Sequence, residues 1–231
     1  PGNDPSWIDF DDDGFDDLFV PNYCSTNFFY RNSGKGSFSV VNENALLEAS
    51  CSVGSAWADY DNDGDFDVLI QNNVNSNNFF YENNGDGTFT AKPSISIATR
   101  TSNGASWGDF NNDGWIDLIQ VGSFPERRTY LYRNNGNKTF TDVSVEQGVA
   151  FVGYSYAVAW SDYDNDGFLD FVISNGDGGF WATDKLYRKN GNSNGWIKIK
   201  LVGTRTNRSA VGAVVQLKAD ARWQTRAVQS K

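Results

Sequence analysis

The sequence predicts an all-β protein built from four copies of one repeat, on three observations. Segments led by tryptophan, beginning at Trp7, Trp57, Trp107 and Trp160, recur at a spacing of about 50 residues. Each segment carries short apolar or aromatic runs of strand length, separated by turns rich in Gly, Asn and Asp. No amphipathic stretch of helical length is visible. The pattern therefore predicts about four short strands per repeat, as in a β-propeller blade.

The elements of each repeat follow in a fixed order. The first strand carries the Trp and leads into an acidic loop. The second strand is an apolar run at residues 18–20, 68–70, 118–119 and 171–173. The third strand is an aromatic run that begins at Phe28, Phe79, Tyr130 and Leu186. In the first three repeats a Gly-containing turn then leads to a fourth strand at Phe38, Phe89 and Phe140, whereas the fourth repeat runs from Asn190 into the C-terminal segment without an evident fourth strand.

This order predicts two regions. Residues 1–192 are expected to form four β-propeller blades, each with one acidic loop, at about 1–50, 51–100, 101–153 and 154–192, and residues 193–231 begin a separate β-rich module. We interpret the chain as a piece of a longer protein, and four blades can either close into a ring or form an open arc. The repeated Trp is expected to pack between blades, with a ligand platform as the alternative.

The acidic loops give the strongest functional pattern. Loop position 1 is Asp9, Asp59, Asp109 or Asp162, and side-chain oxygens occur at loop positions 1, 3, 5 and 9. A glycine at position 6 permits a sharp turn, and position 7 is expected to contribute its backbone carbonyl. The candidate ligands are Asp9, Asp11, Asp13, Phe15 and Asp17; Asp59, Asp61, Asp63, Asp65 and Asp67; Asp109, Asn111, Asp113, Trp115 and Asp117; and Asp162, Asp164, Asp166, Phe168 and Asp170.

The sequence of these loops predicts binding of about four Ca²⁺ ions, and the alternatives are hydrated turns, Mg²⁺ sites and EF-hands. Clustered carboxylates repel one another unless a cation joins them, and four copies in one register are not typical of simple hydrated turns. Mg²⁺ fits worse because it prefers a rigid octahedron and keeps its waters. An EF-hand is excluded, since position 12 is not Glu but Val20, Ile70, Gln120 and Ile173. The third loop has one charge fewer, at Asn111, and is predicted to bind calcium most weakly.

The acidity of the chain is concentrated in these loops. Fifteen Asp side chains occupy the ligand positions, more than the formal net charge of −10, so the rest of the chain is net positive. No basic stripe indicates a nucleic-acid partner, and no apolar run is long enough to span a membrane. Two cysteines, Cys24 and Cys51, are either free thiols or a disulfide on the face away from the metals, and a disulfide would place the protein outside the cytosol.

The repeat resembles a known family. Trp-x-Asp-[Phe/Tyr]-[Asp/Asn]-x-Asp-Gly-x-x-Asp followed by an aromatic Tyr-Arg-Asn-Asn-Gly run is similar to the FG-GAP/VCBS repeats of integrin-α-like calcium-binding β-propellers. The segment from Gly195 to Ala213 resembles the start of the ASPIC/UnbV domain. FG-GAP/VCBS repeats followed by this domain are characteristic of cartilage acidic protein-like proteins. The resemblance implies a secreted, cell-surface or periplasmic propeller with adhesive or scaffolding roles, and the loop residues at positions 1, 3, 5 and 9 as calcium ligands.

A ligand is expected where the sequence departs from the repeat. Arg127, Arg128, Tyr154, Tyr156, Phe180 and Trp181 lie in such segments, on the face predicted to be opposite the metal loops. Exposed aromatics there suit a protein or glycan ligand, and ordinary variable loops are the alternative. No catalytic constellation is readable, and the chain has no His. We therefore expect a binding module, with a calcium-dependent polysaccharide lyase as the enzymatic alternative.

Overall fold

The structure, a computed structural model, describes residues 4–42, 45–73, 76–122, 127–176, 183–204, 210, 213–219 and 221–228. Its strands are β1 (Ser6–Ile8), β2 (Asp17–Val20), β3 (Tyr23–Ser25), β4 (Phe28–Asn32), β5 (Phe38–Val40), β6 (Ser50–Ala58), β7 (Asp67–Asn72), β8 (Phe79–Asn83), β9 (Phe89–Ala91), β10 (Ser102–Gly108), β11 (Asp117–Gly122), β12 (Tyr130–Asn134), β13 (Phe140–Asp142), β14 (Ser155–Ser161), β15 (Asp170–Asn175), β16 (Lys185–Tyr187), β17 (Val214–Ala219) and β18 (Arg222–Ala227). Two short 3-10 helices cover Ala45–Leu47 and Ser96–Ala98. Within these ranges, no helix has the length and apolar character that crossing a bilayer requires.

The strands form antiparallel sheets that follow the repeats. The first sheet has the order β1-β2-β4-β5, the second β3-β6-β7-β8-β9, the third β10-β11-β12-β13 and the fourth β14-β15-β16. Strands β17 and β18 pair as a separate hairpin. The all-β repeat architecture is thus confirmed. Within the described residues the fourth sheet has no fourth strand, as the run from Asn190 into the C-terminal segment suggested.

One strand was not expected from the repeat. Strand β3 leaves the first sheet and pairs with the start of β6, Tyr23 opposite Cys51. This pairing brings Cys24 and Cys51 together as a disulfide. Because β6 runs from this end toward the second acidic loop at Asp59, the bridge lies at the opposite end of the sheet from that loop. The hypothesis of a disulfide away from the acidic loops is therefore confirmed.

Three apolar clusters hold neighbouring sheets together face to face. Side chains alternate between the two faces of a strand, so Val68 of β7 packs toward the first sheet while Leu69 packs toward the third. The third and fourth sheets meet through a cluster that includes Ile119 and Phe171. Among the described residues, no such cluster joins the first sheet to the fourth, and the sheets form an open stack.

The repeated tryptophan lies in these contacts. Trp57, Trp107 and Trp160 belong to or pack against the clusters, and each indole N–H donates to the sheet before it. The acceptors are Ser6 Oγ at 2.8 Å, Ala56 O at 3.1 Å and Ser106 O at 3.1 Å, respectively. The expectation that this residue packs between repeats is confirmed, and its N–H finds an acceptor each time on the residue before the preceding Trp, a side-chain hydroxyl at Ser6 and a backbone carbonyl at Ala56 and Ser106.

Candidate metal centre

Each acidic loop is a tight turn with two left-handed residues. The glycine at position 6 has a positive φ in all four loops, +88° at Gly14 and +110° at Gly64 for example. Position 4 also has a positive φ, and it is always Asp or Asn, the residue types that tolerate this conformation best. These residues are Asp12, Asn62, Asn112 and Asn165. Sequence reasoning identified the glycine but missed position 4, although its recurrence was a readable signal.

The carboxylates at positions 1 and 5 fold the loop around themselves. Asp9 accepts the N–H of Asp13 at 3.1 Å on one oxygen and that of Gly14 at 2.8 Å on the other. Asp109 makes the same pair of bonds in the third loop. The position 5 carboxylate accepts the N–H two residues on, as Asp13 does from Phe15 at 3.0 Å. This Asx-turn recurs at Asp63, Asp113 and Asp166.

The position 9 carboxylates are buried and also serve as clamps. Each accepts one N–H from loop position 2 at 3.1–3.4 Å and one from the end of the third strand at 2.7–2.9 Å. The clamp of the fourth loop is Asp170, which bonds the N–H groups of Tyr163 and Lys189. Position 9 therefore locks the acidic loop to the third strand, a structural role that the sequence analysis did not assign.

The carboxylate oxygens converge in three of the loops. Ligand atoms lie within 4.8 Å of one another in three groups, formed by Asp9, Asp11 and Asp13; by Asp59, Asp61 and Asp67; and by Asp162, Asp164 and Asp170. Each group includes a buried oxygen without a hydrogen-bond partner: Asp11 Oδ1, Asp59 Oδ2 and Asp162 Oδ1. An unpartnered buried carboxylate oxygen is costly unless a cation joins it. These clusters can hold a metal ion, and their all-oxygen donor set suits a hard cation.

The third loop differs from the others. The amide of Asn111 donates to Asp113 Oδ2 at 2.8 Å, and its carbonyl oxygen accepts the Asp113 N–H at 2.9 Å. An amide N–H that points at Asp113 uses one of the oxygens that a cation would need. The weaker binding expected of this loop stays a prediction, and the local geometry is consistent with it.

Burial shifts the acidity of several loop carboxylates. Desolvation raises the pKa of Asp117 to about 9, that of Asp17 to about 7 and that of Asp63 to about 6, while backbone hydrogen bonds partly oppose it. The pKa of Asp67 is also raised well above its usual value by burial. A bound divalent cation favours the ionised form and reverses this direction.

Basic side chains contact the position 3 carboxylates. Arg31 pairs with Asp11, and Arg188 pairs with Asp164 and Asp166. Arg31 lies in the third strand of its own repeat, and Arg188 directly follows the third strand of its repeat. These pairs neutralise part of the loop charge, and a cation entering the loop competes with them.

A family comparison matches the part of the chain that carries these loops. The model of the FG-GAP-like repeat matches residues 9–70, 59–120 and 109–173. Together the three matches cover residues 9–173, well over half of the chain. The chain belongs to the FG-GAP-like repeat family. The matches end before the C-terminal segment, whose resemblance to the ASPIC/UnbV domain stays a prediction.

Other comparisons are more distant. One similar solved structure is the crystal structure of the V. cholerae biofilm matrix protein Bap1, with 19% sequence identity and a TM-score of 0.41. The similarity covers 73% of this chain and 23% of that chain, so this chain spans about a quarter of the length of Bap1. No curated protein sequence matches significantly.

The C-terminal hairpin lies over the FG-GAP loops. Arg222 donates to the backbone carbonyl of Asp113 at 3.0 Å, and its guanidinium lies 5.3 Å from the ring centroid of Trp115. Thr225 is buried beside the second loop; burial raises the pKa of Asp59, and the Thr225 hydroxyl acts to lower it. The chain therefore brings β18 onto the second and third loops, which the sequence analysis did not foresee.

The segment that precedes this hairpin covers the third and fourth loops. The side-chain amides of Asn192 and Asn194 both donate to the backbone carbonyl of Asn111, at 2.6 and 2.9 Å. Lys198 Nζ lies 2.6 Å from Asn165 Oδ1 and 3.9 Å from Asp162 Oδ2. A cleft of about 790 Å³, lined mostly by apolar side chains, separates the segment from the loops.

The predicted ligand face is partly described. The Arg127 guanidinium lies 4.2 Å from the ring centroid of Tyr154, which stacks on Tyr156 at 6.5 Å. Arg128 forms a bridge with Val152, so the β11–β12 connection and the approach to β14 meet at the end of the sheets away from the acidic loops. Phe180 and Trp181 lie outside the described residues. A ligand at this surface stays a prediction.

Proposed function

We propose that this chain is an extracellular FG-GAP repeat module in which calcium holds the acidic loops of propeller-type blades, and which acts as an adhesion or scaffold unit. The observation that carries the proposal is the convergence of carboxylate oxygens in three repeats in one register. In each group at least one buried oxygen has no hydrogen-bond partner.

The donor set supports calcium as the ion. Each loop offers several carboxylate oxygens from a flexible turn, and a backbone carbonyl at position 7 would add to them, which suits six to eight ligands. Such a site contributes binding free energy only in the folded state, since the carboxylates are brought together by the clamp at position 9. Calcium therefore stabilises each loop against the repulsion of its own charges.

The disulfide supports a location outside the cytosol. A disulfide such as Cys24–Cys51 persists in oxidising compartments and is rare in the cytosol. Extracellular modules bind calcium with modest affinity because the ion is abundant there. A stack of calcium-held sheets offers a stable platform from which loops contact other molecules.

A calcium titration with a matched pair of variants tests the metal sites. Asp59→Asn removes a converging carboxylate, whereas Asp86→Asn alters a solvated turn outside the acidic loops. We expect Asp59→Asn to lose one site by calorimetry and to lower the melting temperature in calcium. Asp86→Asn should match the parent chain in both measurements. A parent melting curve that is the same in calcium and in excess chelator would contradict the structural role of the ion.

A binding screen tests the ligand. Protein and glycan partners are compared for the parent chain, for Tyr156→Ala and for Trp223→Ala, which removes a similarly exposed aromatic on β18. We expect to find a partner that binds the parent chain and Trp223→Ala but does not bind Tyr156→Ala. We also propose a non-catalytic role, and an ultraviolet assay that detected unsaturated products of uronate cleavage would overturn it.

A further inference from the structure

The side chain at loop position 4 reaches across to the next acidic loop. Asn62 of the second loop donates its side-chain amide to the backbone carbonyl of Gly114 in the third loop, at 3.2 Å. Asn112 of the third loop donates in the same way to the carbonyl of Gly167 in the fourth, at 3.0 Å. Both acceptors are the position 6 glycines of their loops. Successive loops are therefore joined by a hydrogen bond that repeats in register.

The backbone of position 4 aims this side chain. Its φ is positive in both donors, +60° at Asn62 and +55° at Asn112. Position 4 stands between positions 3 and 5, which are both candidate ligands of the same ion. An ion that fixes these two neighbours therefore also fixes the backbone from which the amide extends.

The peptide that receives this hydrogen bond belongs to the ion-binding turn. In the third loop the Trp115 N–H, which shares a peptide with the Gly114 carbonyl, donates to Asp113 Oδ1 at 2.9 Å. In the fourth loop the Phe168 N–H donates to Asp166 Oδ1 at 3.0 Å. Because a peptide is planar, a bond that fixes its carbonyl also fixes the direction of its N–H. The preceding loop thus helps to orient positions 5 and 7, which are both candidate ligands.

The first loop lacks this link. Its position 4 is Asp12, which has a similar φ of +54° but a carboxylate in place of the amide. A carboxylate accepts hydrogen bonds and donates none. Burial raises the pKa of Asp65 in the second loop, and the Asp12 charge raises it further. Asp12 therefore repels the loop that follows it, whereas Asn62 and Asn112 hold theirs.

We propose that Asn62 and Asn112 are positioning residues that couple neighbouring calcium loops, so that calcium in one of the second, third and fourth loops strengthens binding in the next, whereas the first loop is not coupled in this way. The inference rests on the proposed calcium-binding function and adds an order of filling to it. Coupling is reciprocal, so an ion in the fourth loop favours binding in the third to the same degree as the reverse. One hydrogen bond corresponds to about a fivefold change in affinity.

A thermodynamic cycle tests the link between the third and fourth loops. Asp162→Asn disables the fourth loop by removing one of its converging carboxylates. Calcium affinity at the third loop is measured by NMR on the amide of Gly114, which donates to Asp109 at 2.8 Å. We expect this affinity to be about fivefold lower when the fourth loop is disabled. The same comparison in an Asn112→Gly background should give no difference.

Two glycine variants make this comparison specific. Glycine accepts a positive φ without strain, so Asn112→Gly removes the amide and keeps the turn. Asn165→Gly is the matched control, because the position 4 side chain of the fourth loop meets Lys198 of the C-terminal segment. It should leave the coupling of the parent intact. In chelator, the Phe168 N–H should exchange hydrogen faster in Asn112→Gly than in the parent, which measures the loss of positioning without the ion.

Asp12→Asn should create the link that the first loop lacks. The second-loop affinity, measured on the amide of Gly64, is compared with the first loop intact and with it disabled by Asp9→Asn. Asp12→Gly loses the same charge without supplying an amide, so it separates the hydrogen bond from the charge. We expect the coupling to be about fivefold larger in Asp12→Asn than in Asp12→Gly.

The outcomes separate this coupling from the proposed function. A parent chain whose glycine amides do not respond to calcium would overturn both. If the amides respond, but the third loop binds equally well with the fourth loop intact and disabled, calcium binding stands and the coupling alone is overturned. Equal coupling in Asp12→Asn and Asp12→Gly would also overturn it, because the amide would then make no contribution.

Discussion

Lys138 of the third repeat reaches back to Asp61 of the second acidic loop, with 2.7 Å between Nζ and Oδ2. The same ammonium lies 3.1 Å from Glu82. In the first and fourth repeats the position 3 carboxylate is paired with an arginine of its own repeat, at or just after the end of the third strand, Arg31 or Arg188. Glu82 stands at the equivalent position of the second repeat, so the cation comes from the next repeat and links two sheets across the loop.

Replacing this lysine should strengthen calcium binding at the second loop. In Lys138→Gln the ion no longer displaces an ammonium from Asp61. Because Lys138 is half exposed to solvent, the pair is worth on the order of 1 kcal/mol, so we expect about fivefold tighter binding. Lys92→Gln is the control, since Lys92 pairs with Glu82, at 3.3 Å, outside the acidic loop. Calorimetric titration measures both variants. Weaker binding in Lys138→Gln would mean that the lysine assembles the loop.

The third loop should gain affinity when its amide becomes a carboxylate. Asn111→Asp removes the amide that points at Asp113 and adds a unit charge beside the ion. A unit charge a few ångströms from a divalent ion gains at least about 1–2 kcal/mol even at the dielectric of water, so we expect about a tenfold tighter third site. The reverse change, Asp61→Asn, should weaken the second site. Equal affinities before and after both changes would contradict the charge argument.

The regular part of this structure could be predicted from the sequence because it repeats. The Trp and the acidic loop recur in one register, so one physical argument applies four times, and both the antiparallel sheets and the packing role of Trp57 and its equivalents followed. The disulfide could be proposed but not decided, since the strand that brings Cys24 to Cys51 has no counterpart in the other repeats.

The C-terminal contacts could not be predicted for a different reason. Arg222 and Asp113 are 109 residues apart, and the hairpin that carries Arg222 occurs once. No periodicity relates such a segment to the loops, and local propensity gives strands but not their placement. The role of Asp67 and its equivalents as clamps was missed because a carboxylate that binds two backbone N–H groups has the same sequence pattern as a metal ligand.

The tryptophans that pack between the sheets should dominate the stability of the stack. Trp107→Ala removes a side chain that packs between the second and third sheets, and we expect a loss of about 3–5 kcal/mol in the free energy of unfolding. Trp107→Phe, which loses mainly the hydrogen bond to Ala56, should lose about 1 kcal/mol. Trp7→Ala, measured by urea unfolding at low concentration, is the control because Trp7 is half exposed. Equal losses for Trp7 and Trp107 would contradict this account.

Calcium should weaken or reverse the pH dependence of stability. In chelator, the folded-state pKa values of Asp63, Asp17 and Asp117 are raised to about 6, 7 and 9. A raised pKa means that the folded state binds the proton more tightly, so this contribution to stability is fully present below the unfolded value of 3.8 and is lost as pH rises through the folded values.

Melting temperatures over this pH range measure the effect. Without calcium the melting temperature should fall between about pH 5 and pH 9, and with saturating calcium it should fall less or rise, because the ion binds the ionised carboxylates. Asp117→Asn, which removes the group with the highest of these pKa values, should flatten the chelator profile at its alkaline end. Parallel profiles with and without calcium would show that these carboxylates do not bind the ion.

Arg226 should act against calcium in two loops at once. Its guanidinium is attracted to Asp59 of the second loop and Asp109 of the third, so a divalent ion in either loop repels it. Coupling of this kind is reciprocal: the arginine lowers calcium affinity, and calcium weakens the docking of β18 by the same free energy.

Two measurements on a charge-neutral variant check this coupling. Arg226→Gln should tighten calcium binding at the second and third loops, and in chelator its β18 amides should exchange hydrogen faster than those of the parent. Lys218→Gln removes the same charge from the same hairpin, where Lys218 contacts Trp223, and should change neither measurement. Arg226→Lys should retain most of the parent behaviour, because the charge persists. If Arg226→Gln instead weakened calcium binding, the arginine would be holding the loops in their binding geometry, and the hairpin would favour the loaded state.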